Sequence, residues 1–320
     1  MSERTSVTIG VFDGVHRGQC ALLARARLDA DRHQRRCLAV TFDPHPLSIV
    51  GGGRPAPCSL TSLADRITLL GAAGADEVAV LPFTAARAGQ PAAEFVEEYL
   101  RTGLGMAHLV VGHDFRFGAG ATGDAALLAR LGPSLDFTVE QVPPVRSAAL
   151  PAPGIISATA IRHALAAGEV GLAQVLLDRP YSLGGTVIRG DQRGRLLGYP
   201  TANIDVVPGH CWPADGVYAV RLQVGERSAG PLGPLPGEPP GMAGVASVGA
   251  NVTFGGQERR LEVHVLDRTG LDLYGCPARV DFHARLRGML TFTDPAELVA
   301  AMASDVAQAR VVLEPGAHAT

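Results

Sequence analysis

The sequence predicts two structural classes in tandem: an α/β domain built on a parallel sheet, then a small antiparallel β-barrel followed by a C-terminal helix. Three observations predict it. Short apolar runs alternate with helical patterns through the first half, and strict period-two alternation takes over from Tyr181. A length of 320 residues also exceeds what one small core comfortably holds. The boundary is expected near Arg179, giving domains at 1–178 and 179–313 and a disordered tail at 314–320.

Taken in order, SVTIGVF enters a glycine turn, and RCLAVTF (36–42), EVAVLPF (77–83), HLVVGHDF (108–115) and DFTVEQV (136–142) read as further strands. ALLARARLDADRHQ, LADRITLLGAAG and PAAEFVEEYLRTGL read as the helices between them. Such alternation implies a parallel sheet with helices on its faces. ISATAIRHALAAGEVGLAQVLLDRP reads as two short helices. YSLGGTVIRG, GVYAVRLQVG, RLEVHVLD and PARVDFHARLRG then alternate as barrel strands. In the last, Ala278, Val280, Phe282, Ala284 and Leu286 share one face; Arg279, Asp281, His283, Arg285 and Arg287 share the other. The Pro/Gly-rich segment 225–244 reads as a loop joining two strands. TDPAELVAAM opens a closing helix, with Asp294 as N-cap, Pro295 in its first turn and Glu297 completing a capping box.

Composition excludes several functions. A net charge of −3 and 5% aromatics give neither a basic footprint nor a stacking surface, so no nucleic-acid partner is expected. No apolar run reaches bilayer-spanning length, and MSERTSVTIGVF lacks signal-peptide anatomy, so no membrane partner and a cytoplasmic location are expected. The five cysteines are scattered without a CxxC pair, which argues against a disulfide framework and a zinc site. Lysine is absent: all 28 basic residues are arginine. A Walker A loop and a protein-kinase ATP site, which need lysine, are excluded. No GxGxxG follows the first strand, which disfavours a hydride-transferring dinucleotide fold.

The stretch GVFDGVHRGQCALL runs from Gly10 to Leu23 as strand end, turn and helix start. Such a turn offers backbone N–H groups and a positive dipole end to an anion. His16 and Gln19, spaced i and i+3, project from one side of the helix start. A histidine there can stabilise charge that builds on a phosphate. TFDPHP, with Asp43 and His45, lies at a second strand end, and ISATAIR supplies Ser157, Thr159 and Arg162 at another helix start. Singly, each is equally a cap or a rigid turn; three at one sheet edge point to a nucleotide site.

In the second half, RGDQRGRLLGYPTANI couples a Gly/Arg loop to a Pro-Thr-Ala-Asn turn. Gly190 and Gly194 let backbone close on phosphates, with Arg193 and Arg195 nearby as charge. Thr201 and Asn203 supply neutral oxygens suited to a Mg²⁺ that is also held by nucleotide phosphates. Glu262 alternates with Leu261 and Val263, so it points away from the face they bury, where it can take a proton from a substrate hydroxyl.

GVFDGVHRG, TFDPHP, LVVGHDFRFG, the GD pair (123–124) and ISATAIR resemble the HxGH-type, Rossmann-like nucleotidylyltransferase half of bacterial bifunctional riboflavin kinase/FAD synthetases. GRLLGYPTAN, PADGVYA, SVGANVTF, LEVHVLD and DLYG resemble the riboflavin kinase half. The resemblance implies two ATP-dependent reactions: phosphorylation of riboflavin to FMN, and adenylylation of FMN to FAD with release of pyrophosphate. It implies that Gly10, Phe12, Asp13, His16, Gly18 and His45 hold a nucleotide and that Ser157, Thr159 and Arg162 hold its phosphates. It further implies that Asp114, Phe115 and Arg116 border the flavin of the first domain, and Arg285 and Arg287 that of the second. Glu262 becomes the general base for the ribityl hydroxyl, and Thr201 and Asn203 bind Mg²⁺-ATP.

Three positions depart from the pattern: Gln19 replaces a second histidine, Ala158 a serine and Val252 a proline. Losing one transition-state interaction costs ~3 kcal/mol, on the order of a hundredfold in rate, which leaves both an attenuated and an inactive adenylyltransferase open. The departures leave open a paralogue acting on another nucleotide or acceptor. A non-catalytic flavin- or nucleotide-binding protein is the rival from another class; intact Glu262, Thr201 and Asn203 count against it.

Overall fold

The structure is a computed structural model that describes residues 4–53, 55–152, 154–190, 198–226, 241–250, 259–268 and 270–314. Gly194, Arg193 and Arg195, the stretch from Asn251 to Phe254, and all of the expected tail beyond Glu314 lie outside the described residues. The chain forms two compact units, Met1–Ala158 and Thr159–Thr320.

In the first unit, β1 (Thr5–Ile9), β2 (Arg36–Asp43), β3 (Glu77–Pro82), β4 (Met106–Gly112) and β5 (Thr138–Val142) form one sheet in the order β3-β2-β1-β4-β5. Every pairing is parallel. The connections are α1 (Arg17–His33), the short α2 (Leu47–Val50), α3 (Leu63–Ala72), short α4 (Ala85–Ala88) and α5 (Ala92–Glu94), and α6 (Ala125–Leu135). The stretch expected as one helix over PAAEFVEEYLRTGL widens after α5 into a π-helix, Phe95–Gly103. Val7, Ile9, Leu38, Val40, Leu109 and Val111 pack one face of the sheet against that π-helix and α6. Ala39, Val110 and Cys37 pack the other face against α1 and α3. Chain order reverses beside β1, between β2 and β4, so the loop leaving β1 opens at the switch point where such sheets bind ligands.

The second unit begins with α7 (Ala158–Ala167) and α8 (Val170–Leu177). Their junction is tied to the barrel: Ala214 N–H donates to Leu165 O, and the Arg285 guanidinium donates to Ala167 O. The compact units part at Ala158. Six strands close the barrel: β6 (Tyr181–Ile188), β7 (Thr201–Val206), β8 (Gly216–Val224), β9 (Met242–Ala250), β10 (Arg259–Val265) and β11 (Pro277–Arg287). All neighbours are antiparallel, in the order β10-β7-β6-β11-β8-β9 around the ring. Tyr181, Leu183, Tyr218, Val220, Leu222, Ala246, Val248, Leu261, Val263, Val280 and Phe282 are buried and fill it, with Tyr218 edge-on to Phe282 at 5.4 Å. The last helix, α9 (Pro295–Leu313), is capped by Asp294, whose side chain accepts from Ala296 N–H at 2.8 Å.

Two barrel strands differ from expectation. The Pro-Thr-Ala-Asn stretch is not a turn but the start of β7, and β9 emerges from a segment of small residues. In β11 the register shifts between Phe282 and Ala284 and again between Arg285 and Arg287. Each bulge exchanges the two faces. Ala284 and Leu286 therefore leave the row of Val280 and Phe282 and pack with Ala219, Val245, Ala309 and Leu313 under α9. Arg285 and Arg287, expected on one face, are parted by the second shift: Arg285 pairs in register with Tyr218, Arg287 with Val217.

Candidate active sites

The loop after β1 is held in a conformation that ordinary residues avoid. Phe12 (φ 52°), Gly14 (φ 88°) and Val15 (φ 42°) all lie at positive φ. For a β-branched residue such as Val15 that is a true outlier, costing about 1–3 kcal/mol, and the surroundings must over-determine it. Phe12 and Val15 are buried with Leu23, Ala26 and Ala39. The buried Asp13 carboxylate accepts from Leu60 N–H (2.9 Å) and Thr61 N–H (3.2 Å), and Gly14 N–H donates to Thr61 Oγ1 (3.1 Å). Asp13 thus acts as the anchor of the turn. Thr41 Oγ1 donates to Val11 O at 2.8 Å.

The turn delivers His16 to the N-cap of α1, with its side chain largely buried. Its ring lies over Gly18: a Cβ there would come within 3.2 Å of the imidazole and 3.3 Å of Ile156 O. A side chain at 18 would press on the His16 ring and on Ile156 O, and the start of the ISATAIR segment lies beside the turn. Gln19 has a part that its sequence position does not announce. Its Oε1 accepts from His16 N–H at 3.0 Å, the return half of a capping box. Because that partner can only donate, the amide orientation is fixed, and Nε2 is its remaining, donor side.

At the end of β2, Leu47 N–H donates to His45 Nδ1 at 3.1 Å, so the neutral ring carries its proton on Nε2. After β4, Asp114 is highly exposed, and Arg116 pairs with Asp124 at 3.3 Å. Phe115 stacks on Phe117 with centroids 5.3 Å apart. The GD pair is structural: a Cβ at Gly123 would meet the Phe117 ring at 2.7 Å, and Asp124 caps α6 through Leu127 N–H. Hydrogen bonding from that amide lowers the Asp124 pKa, with Arg116 adding to it. Gly10, Phe12, Asp13, His16, Gly18, Gln19, His45 and Ser157 are within the first unit; Thr159 and Arg162 are on α7, in the second.

On the barrel, register alone assembles a polar row. Asn203 of β7, Glu262 of β10 and Ser247 of β9 are directly opposed across neighbouring strands and so share a face. Thr201 lies two residues along β7 on that face, and its Oγ1 donates to Glu262 Oε2 at 3.4 Å. Leu261 and Val263 are fully buried inside the barrel, so this row is on the outer face. A Cβ at Gly190 would stand 2.2 Å from the Asn203 amide, so glycine is what leaves Asn203 its place. His264 is the row's neighbour: Nδ1 lies 2.9 Å from Pro200 O, and its ring is edge-on to Tyr199 at 5.2 Å. A carbonyl only accepts, so Nδ1 carries a proton and pins the turn entering β7. Thr201, Asn203 and Glu262 supply the hard oxygen donors that Mg²⁺ prefers. Among the described residues there is no cluster of three or more His, Cys, Asp or Glu side chains able to hold a metal alone.

Arg285 and Arg287 are committed elsewhere. Arg287 makes a two-point pair with the buried Asp305 of α9 (2.9 and 2.8 Å), and Arg285 donates to Asp215 O and Ala167 O. Both guanidiniums thus serve as structural clamps within the second unit. Ser247, His264, Thr61 and Arg66 were not anticipated. Alternation gives Ser247 and His264 only once the strand partners are known, and Arg66 falls on the buried side of α3 with Leu69 and Leu70.

A family model for FAD synthetase matches residues 1–151, and one for riboflavin kinase matches residues 177–313. A bifunctional riboflavin kinase/FMN adenylyltransferase of Pseudomonas fluorescens is 38% identical over 312 residues, covering 97% of this chain and 94% of the relative. Its namesake in Escherichia coli (strain K12) is 36% identical, covering 95% and 91%. A crystal structure described as a macrolide-efflux protein from Streptococcus pneumoniae matches with a TM-score of 0.82 and 31% identity, over 97% of this chain and 95% of that one. Among the described residues here, no helix is long and apolar enough to cross a membrane. With both halves matched in order and nearly full-length relatives, the chain belongs to the bifunctional riboflavin kinase/FMN adenylyltransferase family.

Proposed function

We propose that this chain converts riboflavin to FMN and FMN to FAD, using ATP in both steps, with the second reaction in residues 1–178 and the first in 179–313. The observation that carries the reading is the row of Thr201, Asn203 and Glu262 on one outer face of the barrel. Glu262 takes the proton of the ribityl 5′-hydroxyl as its oxygen attacks the γ-phosphorus of ATP, and ADP leaves. Thr201 and Asn203 hold Mg²⁺ with the nucleotide phosphates, and the ion neutralises phosphate charge when bound.

In the first domain, an oxygen of the FMN phosphate attacks the α-phosphorus of ATP, and pyrophosphate leaves. The turn from Gly10 to Gly18 and the N-terminus of α1 receive the phosphates, with His16 and the Gln19 Nε2 donor facing the developing charge. His45 and Ser157 complete the nucleotide contacts of the first unit, and Asp114, Phe115 and Arg116 border the flavin. Asp13 contributes by holding the turn. The partners are small molecules, and the cytoplasm, where ATP is made and used, is the proposed location. Incubating the full chain with riboflavin, ATP and Mg²⁺ and separating the products by chromatography tests the reading. FMN followed by FAD is expected; no FMN from folded protein would overturn the kinase assignment.

A further inference from the structure

The first unit contains a buried cation that none of the chemistry above uses. Arg66, on α3, is 5% exposed. A guanidinium remains charged in proteins, so burying one requires compensation from partners. Its Nη1 donates to Thr41 Oγ1 at 3.2 Å and to Phe42 O at 3.1 Å, both at the C-terminal end of β2. Thr41 passes the connection on, donating to Val11 O at 2.8 Å at the entrance of the phosphate turn. Burial lowers the Arg66 pKa, and the carboxylates of Asp13 and Asp43 raise it again. Asp13 anchors the first turn and Asp43 ends β2, so the guanidinium feels the charge of an acidic residue from each of the two strand ends. Arg66 Nε is buried and has no hydrogen-bond partner among the described residues. The side chain is therefore held by Nη1 and by charge, as a brace between two strand ends.

We propose that Arg66 is a positioning residue of the adenylyl-transfer site, joining the loop after β1 to the end of β2 through Thr41. The proposal rests on the adenylyltransferase reading of that site. It is structural in means and functional in effect, because misplacement of a catalytic group by about 1 Å can cost a hundredfold in rate.

The test uses the full chain, with FAD formation from FMN and ATP as readout and FMN formation from riboflavin as internal control. Arg66→Met is expected to lower kcat/KM for FAD formation by about 10- to 100-fold, with a raised KM for ATP, while FMN formation is unchanged. Arg66→Lys, which keeps the charge but not the fork, should recover part of that loss. Thr41→Val, which removes only the relay hydroxyl, should move KM in the same direction by less. A purely structural role would lower the folded fraction, hence the maximal rate, and leave KM for ATP alone. Wild-type KM values in Arg66→Lys and Thr41→Val would overturn the proposal even if Arg66→Met failed to fold. If the wild-type chain made no FAD, the adenylyltransferase reading would fall, and amide hydrogen exchange would decide the brace by itself. Faster exchange at Gly14, Leu60 and Thr61 in Arg66→Met supports it, and unchanged exchange there overturns it.

Discussion

The turn after β1 in the first unit and the polar row of the barrel both present a few polar groups on a rigid frame, but they are made differently. The turn places Phe12 and Val15 at positive φ and is braced from distant sequence by Leu60, Thr61, Thr41 and Arg66. The row needs no strained backbone among Thr201, Asn203 and Glu262; an antiparallel ladder in the right register suffices. A site on a turn depends on supports beneath it, whereas a site on strands depends on parity and on what leaves room for it, here Gly190.

Breaking each site at its own kind of weak point sharpens that contrast. The largest effect is expected at Glu262: Glu262→Gln removes the proposed base without altering shape and should slow FMN formation by about 10²- to 10⁴-fold, measured as product per time with riboflavin and ATP. Next comes Gln19, where two substitutions separate capping from chemistry. Gln19→Glu keeps an oxygen for His16 N–H but replaces the donor with a negative charge, so FAD formation should fall on the order of a hundredfold with the melting temperature preserved. Gln19→His, which offers a chargeable donor, should raise FAD formation and leave FMN formation as it was. A smaller effect is expected at Gly190, where an added Cβ displaces Asn203; Gly190→Ala should raise KM for ATP in FMN formation on the order of tenfold.

How much of this was legible in the sequence follows the same division. Strand–helix alternation gave the parallel sheet, and period two gave most of the barrel, because both signals are local. Glu262 was placed on the outer face by its neighbours Leu261 and Val263 alone. The separation of Arg285 from Arg287 was not legible, because the bulges of β11 are set by its pairing with β8. β9 escaped notice because Gly244 and Ala246 carry too little apolar bulk to show alternation. In the first unit, His16 and Asp13 announce themselves as a motif, but Arg66 and Thr61 reach the turn only through the fold. Gln19 reads as a lost imidazole, and only the hydrogen bond to His16 N–H shows it as a cap.

The smallest predicted effect lies away from both sites and tests the first unit's frame. His108 of β4 is buried, with Nδ1 2.7 Å from Thr138 Oγ1. Burial lowers its pKa from the ordinary 6.5, and Asp29 and Glu140 raise it in part. The unfolded chain therefore takes up this proton at higher pH than the folded one. Stability should rise with pH through the window just below 6.5 and become level above it. Thermal unfolding of His108→Gln across that window should show a shallower slope than the wild-type chain.

That residues 1–178 and 179–313 carry two separable reactions can be tested by feeding wild type and Glu262→Gln with either riboflavin or FMN, together with ATP and Mg²⁺. Glu262→Gln is expected to make FAD from FMN at the wild-type rate and almost nothing from riboflavin. Undiminished FMN formation from riboflavin by Glu262→Gln, or loss of both reactions in a folded protein, would contradict it.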